Sequence, residues 1–297
     1  MSADMVPSYE VSLYATKCPS CGWVEQNKSH RPVKHTVENG DRILVLKCQY
    51  QFSDPKRYDV IVFKNPLNPT ENYIKRLIGL PGDEIEIVDG DVFINGHIAR
   101  KPTMVQNEHW MPVYNNDYRP LDTESKHYNG HAWVNPFTHH TTPWQVKDND
   151  PARFHLDIKT DENALLTYGA PSANDFRATY AYNDAISFAA MPVCSDIKVE
   201  GIIQLHGETG RFGAALKKYG VEYRGWIDFA GRMVIASIDR DDTLTILAEK
   251  ELNITHLAQA KSFMFENVDR QLTLQYDTHT LMYDLGTALG SLETRKE

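Results

Sequence analysis

Lys75 is the first residue whose placement suggests chemistry. It stands in Tyr73-Ile74-Lys75-Arg76-Leu77, an apolar run with strand character. Residues alternate faces along a strand, so Lys75 shares its face with Tyr73 and Leu77. An ammonium group on an apolar face needs a task or a partner. Desolvation lowers the pKa of such a group and suits it to take up a proton near neutral pH as a general base. The alternative is a packed stem whose charge reaches solvent. Both readings expect the strand itself to be buried.

A second chemistry is metal binding. Cys18-Pro19-Ser20-Cys21-Gly22 carries two thiols at ligand spacing. His30 and His35 complete a tetrahedral set as Cys18-x2-Cys21-x8-His30-x4-His35, and Cys48 is a further candidate. A single Cys-x-x-Cys is half a site, so a loop without metal stands as the other reading. His127, His131, His139 and His140 lie in a polar stretch with no carboxylate in register and read as loop residues. Asp239-Arg240-Asp241-Asp242 lacks the glycine and terminal glutamate of a calcium loop and reads as a solvated hairpin turn. Trp133, Trp144 and Trp226 read as packing residues, with a sugar-stacking platform as the alternative.

The elements that must position these groups are strands. Ile43 to Val45 and Tyr58 to Lys64 are apolar, and the second reads as a buried strand. Leu80-Pro81-Gly82-Asp83 suits a type II turn. Asp89-Gly90 and Asn95-Gly96 are hairpin signals of the I′ type. Residues 102–150 are rich in Asn, His, Pro and Trp without sustained periodicity, and read as a loop-rich connection. From Arg153 onward short strands return between turn residues: RFHLDIKT, ALLTYGA, DFRATYAY, IKVEGIIQLHG, GWIDFAG, MVIASI, TLTILAE, SFMFENV and QLTLQYD. That spacing suggests a β-sandwich or jelly roll, with no long amphipathic helix anywhere.

Composition narrows the partners. The 297 residues carry a net charge of -9, with 41% hydrophobic and 24% charged residues, as in ordinary globular proteins. An acidic chain is not built for general nucleic-acid binding. No apolar run reaches the roughly 18 residues of a membrane span, and no signal peptide pattern opens the chain. Four cysteines, at 18, 21, 48 and 194, are too few and scattered for a disulfide framework.

Three stretches together resemble a known family. GDRILV (Gly40 to Val45), RYDVIVFKNP (Arg57 to Pro66) and NYIKRLIGLPGDEIEI (Asn72 to Ile87) resemble consecutive motifs of type I signal peptidases, in that family's order and spacing. These are membrane-bound serine proteases with a Ser/Lys dyad that remove signal peptides from exported proteins. The resemblance covers residues 41–101 and extends more weakly to Asp4-Met5-Val6-Pro7-Ser8-Tyr9.

The resemblance implies that Lys75 is the general base. It aligns Asp4 with the nucleophilic serine, which in the family directly precedes Met in Ser-Met-x-Pro-Thr. A carboxylate there cannot attack as a hydroxyl does, and an ionised Asp4 would hold Lys75 charged. Ser2 and Ser8 are alternatives only in another register, since neither precedes Met. Met5, Pro7, Tyr73, Ile74 and Leu77 are the implied substrate contacts. The family also carries an N-terminal anchor and a later Gly-Asp-Asn…Ser-x-Asp-Ser-Arg motif. Neither is found in these residues, so a truncated or degenerate relative is expected. Planctomycete-like members insert a CPxCG segment between the serine motif and the GDRILV strand, which matches Cys18 and Cys21, and a long β-rich domain after the lysine motif, which matches residues 151–290.

The expectation is therefore a mainly β chain. Residues 1–40 form an N-terminal segment with a candidate zinc loop, and 41–101 a signal-peptidase-like antiparallel β-domain. Residues 102–150 form a connection, and 151–290 an inserted concanavalin- or laminin-G-like β-sandwich. The implied ligands are signal peptides of exported preproteins, at the outer face of the cytoplasmic membrane. A glycan is the alternative ligand of the sandwich. No cofactor is required, and a structural zinc is the candidate metal.

Overall fold

The computed structural model describes residues 15–26, 43–88, 90–121, 123–124, 132–138, 143–147, 150–159, 163–169, 174–177, 193–207, 209–218, 220–252 and 258–288. These residues are mainly β, arranged in several antiparallel sheets. The chain divides into two compact units, one of Met1–Asp54 with Trp110–Pro192, the other of Pro55–His109 with Val193–Glu297. The lysine segment thus belongs to the same unit as the late strands, while residues 110–192 group with the cysteine pair.

Two four-stranded sheets build the core of the second unit. One runs in the order Ile197–Ile203, Lys261–Val268, Gln271–Tyr276, His279–Asp284, the other Arg211–Lys218, Val221–Asp228, Arg232–Ile238, Leu244–Glu251. Their inward rows follow the period of two. Leu216, Ile227, Met233 and Ile235 from one sheet share a single cluster with Phe263, Phe265, Leu272, Leu274 and Tyr276 from the other. Each such side chain fully removed from water contributes roughly 1.5–3 kcal/mol. A β-carbon on Gly225 would stand 2.5 Å from the Phe265 ring, so the bare glycine is what lets that ring enter.

Two strands here carry little sequence signal. Arg211–Lys218 (RFGAALKK) alternates with small residues, and His279–Asp284 is half-exposed along its length. The expected sandwich strands between Ile197 and Tyr276 are otherwise present. Asp239–Asp242 forms the hairpin turn between Arg232–Ile238 and Leu244–Glu251, with Asp242 at φ 58°.

The lysine segment of this unit contains two small sheets. Val60–Lys64 pairs with Asn72–Arg76, and Ile85–Val88, Asp91–Ile94 and His97–Ile98 form a three-stranded meander. The turn chemistry is as expected. Asp83 N–H donates to the Leu80 carbonyl over 3.0 Å, with Gly82 at φ 91°. The Asn95-Gly96 turn has positive φ at both residues, 52° and 79°.

The burial expectation fails. Val60 is 54% exposed and Ile74 51%, because a sheet of two strands has no covering layer among the described residues. Thr103–His109, read as part of a connection, is a helix of seven residues, too short for a periodic signal.

The first unit is organised around aromatic rings. Phe137 meets Tyr114, Phe154 and Tyr168 with centroids 5.5–5.7 Å apart, and Phe176 closes on Tyr168. Burial pushes the Tyr168 hydroxyl up to about 12, and it donates to the Asn174 carbonyl over 2.9 Å.

Candidate active site

The register places Ile61 opposite Lys75, Val62 opposite Ile74 and Phe63 opposite Tyr73. One face therefore carries Ile61, Phe63, Tyr73 and Lys75, as the alternation predicts. The Lys75 ammonium lies 5.6 Å from the Tyr73 ring centre, and Tyr73 meets Phe63 edge-on at 6.1 Å. Ile74 projects from the opposite face. Lys75 is exposed rather than enclosed, and no carboxylate pairs with it among the described residues.

Its neighbours hold the strand in place. Arg76 bridges to Glu108 over 2.7 Å and donates to the Tyr58 carbonyl. The Leu77 N–H donates to the Asp59 carbonyl over 2.8 Å, and the Tyr58 N–H to that of Leu77 over 2.6 Å. Tyr58 itself has φ 75° and donates its hydroxyl to the Ala99 carbonyl. Asp83 accepts from the Leu80 N–H and from Arg57, which together hold its carboxyl below the ordinary range. Asn95 ties this turn to the meander, donating to Asp83 and accepting from the Glu84 N–H. The free edge of Asn72–Arg76 has no strand partner among the described residues. An open cleft nearby is lined by Arg57, Tyr58, Ile94, His97, Ile98 and Arg100, without Lys75.

A buried charge network joins this segment to the large sheets, and no sequence motif marks it. Lys218 donates to Asp91 over 3.0 Å and to Asp196 over 2.6 Å. The Lys101 ammonium pairs with Asp269, which also accepts from the Lys101 main-chain N–H and the Gln106 amide. Carboxylate oxygens of Asp91, Asp196 and Asp269 lie within 4.8 Å of one another, as metal ligands do. The two ammonium groups already answer that charge. Burial and the Asp196 carboxylate push Asp91 up, against the pull of Lys218. Burial works against the Lys218 charge, but Asp196 and Asp91 outweigh it and hold its pKa raised.

The cysteine pair sits in the other unit, on a hairpin of Ala15–Lys17 and Val24–Gln26. Cys18 is half-buried and Cys21 buried, while Cys48 is exposed. Trp133 is buried and donates its indole N–H to the Cys21 carbonyl. Trp144 donates to the Ala164 carbonyl, and Trp226 packs under Arg211. Asp4, Met5, Pro7, Ser2, Ser8, His30, His35 and the histidines at 127, 131, 139 and 140 lie outside the described residues.

Residues 25–149 match the family model described as signal peptidase, peptidase S26. The chain is 32% identical over 114 residues to the probable signal peptidase I-2 of Synechocystis, covering 33% of this chain and 50% of that one. It is 43% identical over 83 residues to signal peptidase I of Pseudomonas fluorescens, covering 23% and 29%, respectively. Over 80 residues it is 38% identical to signal peptidase I of Bacillus caldolyticus, covering 27% and 41%. Over this segment the chain is a distant homologue of signal peptidase I.

The chain spans half the length of the first of these relatives and less of the others. No solved structure matches. The signal-peptidase-like segment includes the lysine strand, its turn and the meander, whereas both four-stranded sheets lie beyond it. Among the described residues no helix is long and apolar enough to cross a membrane.

Proposed function

We propose that the Lys75 segment acts as the lysine half of a serine/lysine endopeptidase site of the signal peptidase I kind. Its substrates are signal peptides of exported preproteins, met at the outer face of the cytoplasmic membrane. One observation supports this most: Lys75 stands on an edge strand, beside Tyr73 and Phe63, within the segment similar to signal peptidases. An extended peptide adds to such an edge through main-chain hydrogen bonds, and small apolar contacts select its side chains. A neutral lysine then takes the proton of a serine hydroxyl as it attacks the peptide carbonyl.

A second reading is peptide binding without cleavage, and one residue favours it. Asp4 aligns with the family's serine. A carboxylate supplies no hydroxyl for acyl-enzyme formation by this route.

Cleavage and binding of a signal-peptide substrate, measured on the parent, Asp4→Ser and Lys75→Ala chains, test both. Parent cleavage lost in Lys75→Ala supports the protease reading. Cleavage that only Asp4→Ser gains supports binding by a site lacking its nucleophile. Parent cleavage that survives Lys75→Ala overturns the dyad assignment, and absence of binding and cleavage in all three overturns both readings.

A further inference from the structure

We infer that Cys18 and Cys21 hold a thiophilic divalent cation, zinc, as two of its ligands. This stands apart from the protease reading, because it rests on the other unit. The hairpin registers Lys17 opposite Val24 and leaves Cys18 to Trp23 as a tight knuckle. Cys18 N–H donates to the Trp23 carbonyl over 2.7 Å, Gly22 N–H returns to that of Cys18 over 3.0 Å, and Gly22 takes φ 73°. The two thiols lie within hydrogen-bonding reach of each other. The Trp23 main-chain N–H donates to the Cys21 sulfur.

The knuckle is also braced from a distance. The Asn174 amide, in a residue only 7% exposed, lies 3.0 Å from the carbonyls of Cys18, Pro19 and Val113. Asn115 N–H donates to the Ser20 carbonyl over 2.7 Å, and Trp133 to that of Cys21 over 2.8 Å. Carbonyls from Cys18 to Cys21 are therefore held from far along the sequence, 112 positions away at Trp133 and 156 at Asn174. A zinc ion gains ligands that need no rearrangement. Tetrahedral zinc takes two further ligands; among the described residues no third His, Cys, Asp or Glu joins this pair.

The test loads the full chain under reducing conditions with zinc, and separately with cobalt as a spectroscopic substitute. Retention of about one zinc per chain, or about one per two chains if a second copy supplies the other thiolates, supports the site. A thiolate-to-cobalt charge-transfer band that Cys18→Ser and Cys21→Ser remove, and Cys194→Ser leaves, supports it equally. Should the serine variants fail to fold, chelation of the parent serves instead, with a melting temperature that falls and recovers on zinc addition. A parent that takes up neither metal, or variants that bind as the parent does, overturn the inference.

Discussion

Lys218 reaches Asp91 over 3.0 Å with side chains only 4% and 3% exposed, joining residues 127 positions apart. Lys218 occupies an inward position of its strand, where Phe212, Ala214 and Leu216 precede it on the core row. The lysine segment is thus fastened to the two large sheets by buried charge.

Removing that ammonium leaves Asp91 and Asp196 facing each other. Lys218→Met is expected to lower stability by about 3–5 kcal/mol, the usual cost of breaking a buried ion pair from one side. Urea unfolding measures it. A loss under about 1 kcal/mol would mean that the carboxylates find water instead.

The fit between the two large sheets makes a separate prediction. Gly225→Ala places a β-carbon 2.5 Å from the Phe265 ring, which is fully buried in the core. Overpacking of this kind costs about 1–3 kcal/mol. Phe265→Leu in the same chain should recover part of the loss, and a thermal melt of both variants checks the coupling.

Turns were legible from sequence because their chemistry is local. Pro81-Gly82 and Asn95-Gly96 state their own backbone angles, and both turns stand where expected. Burial was not legible in the same way. YDVIVFK reads as buried from its composition, yet whether a strand is covered depends on residues elsewhere in the chain. The charge network left no signal at all, since Asp91, Lys218 and Asp269 are unremarkable until the fold gathers them. Asn174 is equally silent, although it braces the cysteine knuckle from 156 positions away.

Acid should act through Asp284. The Arg100 side chain and the Gly286 N–H hold its carboxyl at about 2, against an ordinary 3.8. A depressed carboxyl stabilises the folded state in its ionised form, so the contribution is full above the ordinary value. It is lost as the pH falls through about 2. The carboxylate is half-exposed, so salt screening keeps the effect small. Stability measured from pH 5 downward should fall less steeply in Arg100→Met than in the parent; equal slopes would remove Asp284 from the account.

Lys75 offers the sharpest separation of structure from chemistry. It is exposed, lies on an edge strand, and holds its ammonium 5.6 Å from the Tyr73 ring centre. Lys75→Ala should therefore change folding stability by no more than about 0.5 kcal/mol, as surface substitutions do. The same substitution should abolish any peptide cleavage that the chain performs, because no other group is offered as the base. Paired melting and cleavage measurements on one preparation decide it. A stability loss beyond about 1 kcal/mol would show that Lys75 supports the strand rather than a reaction.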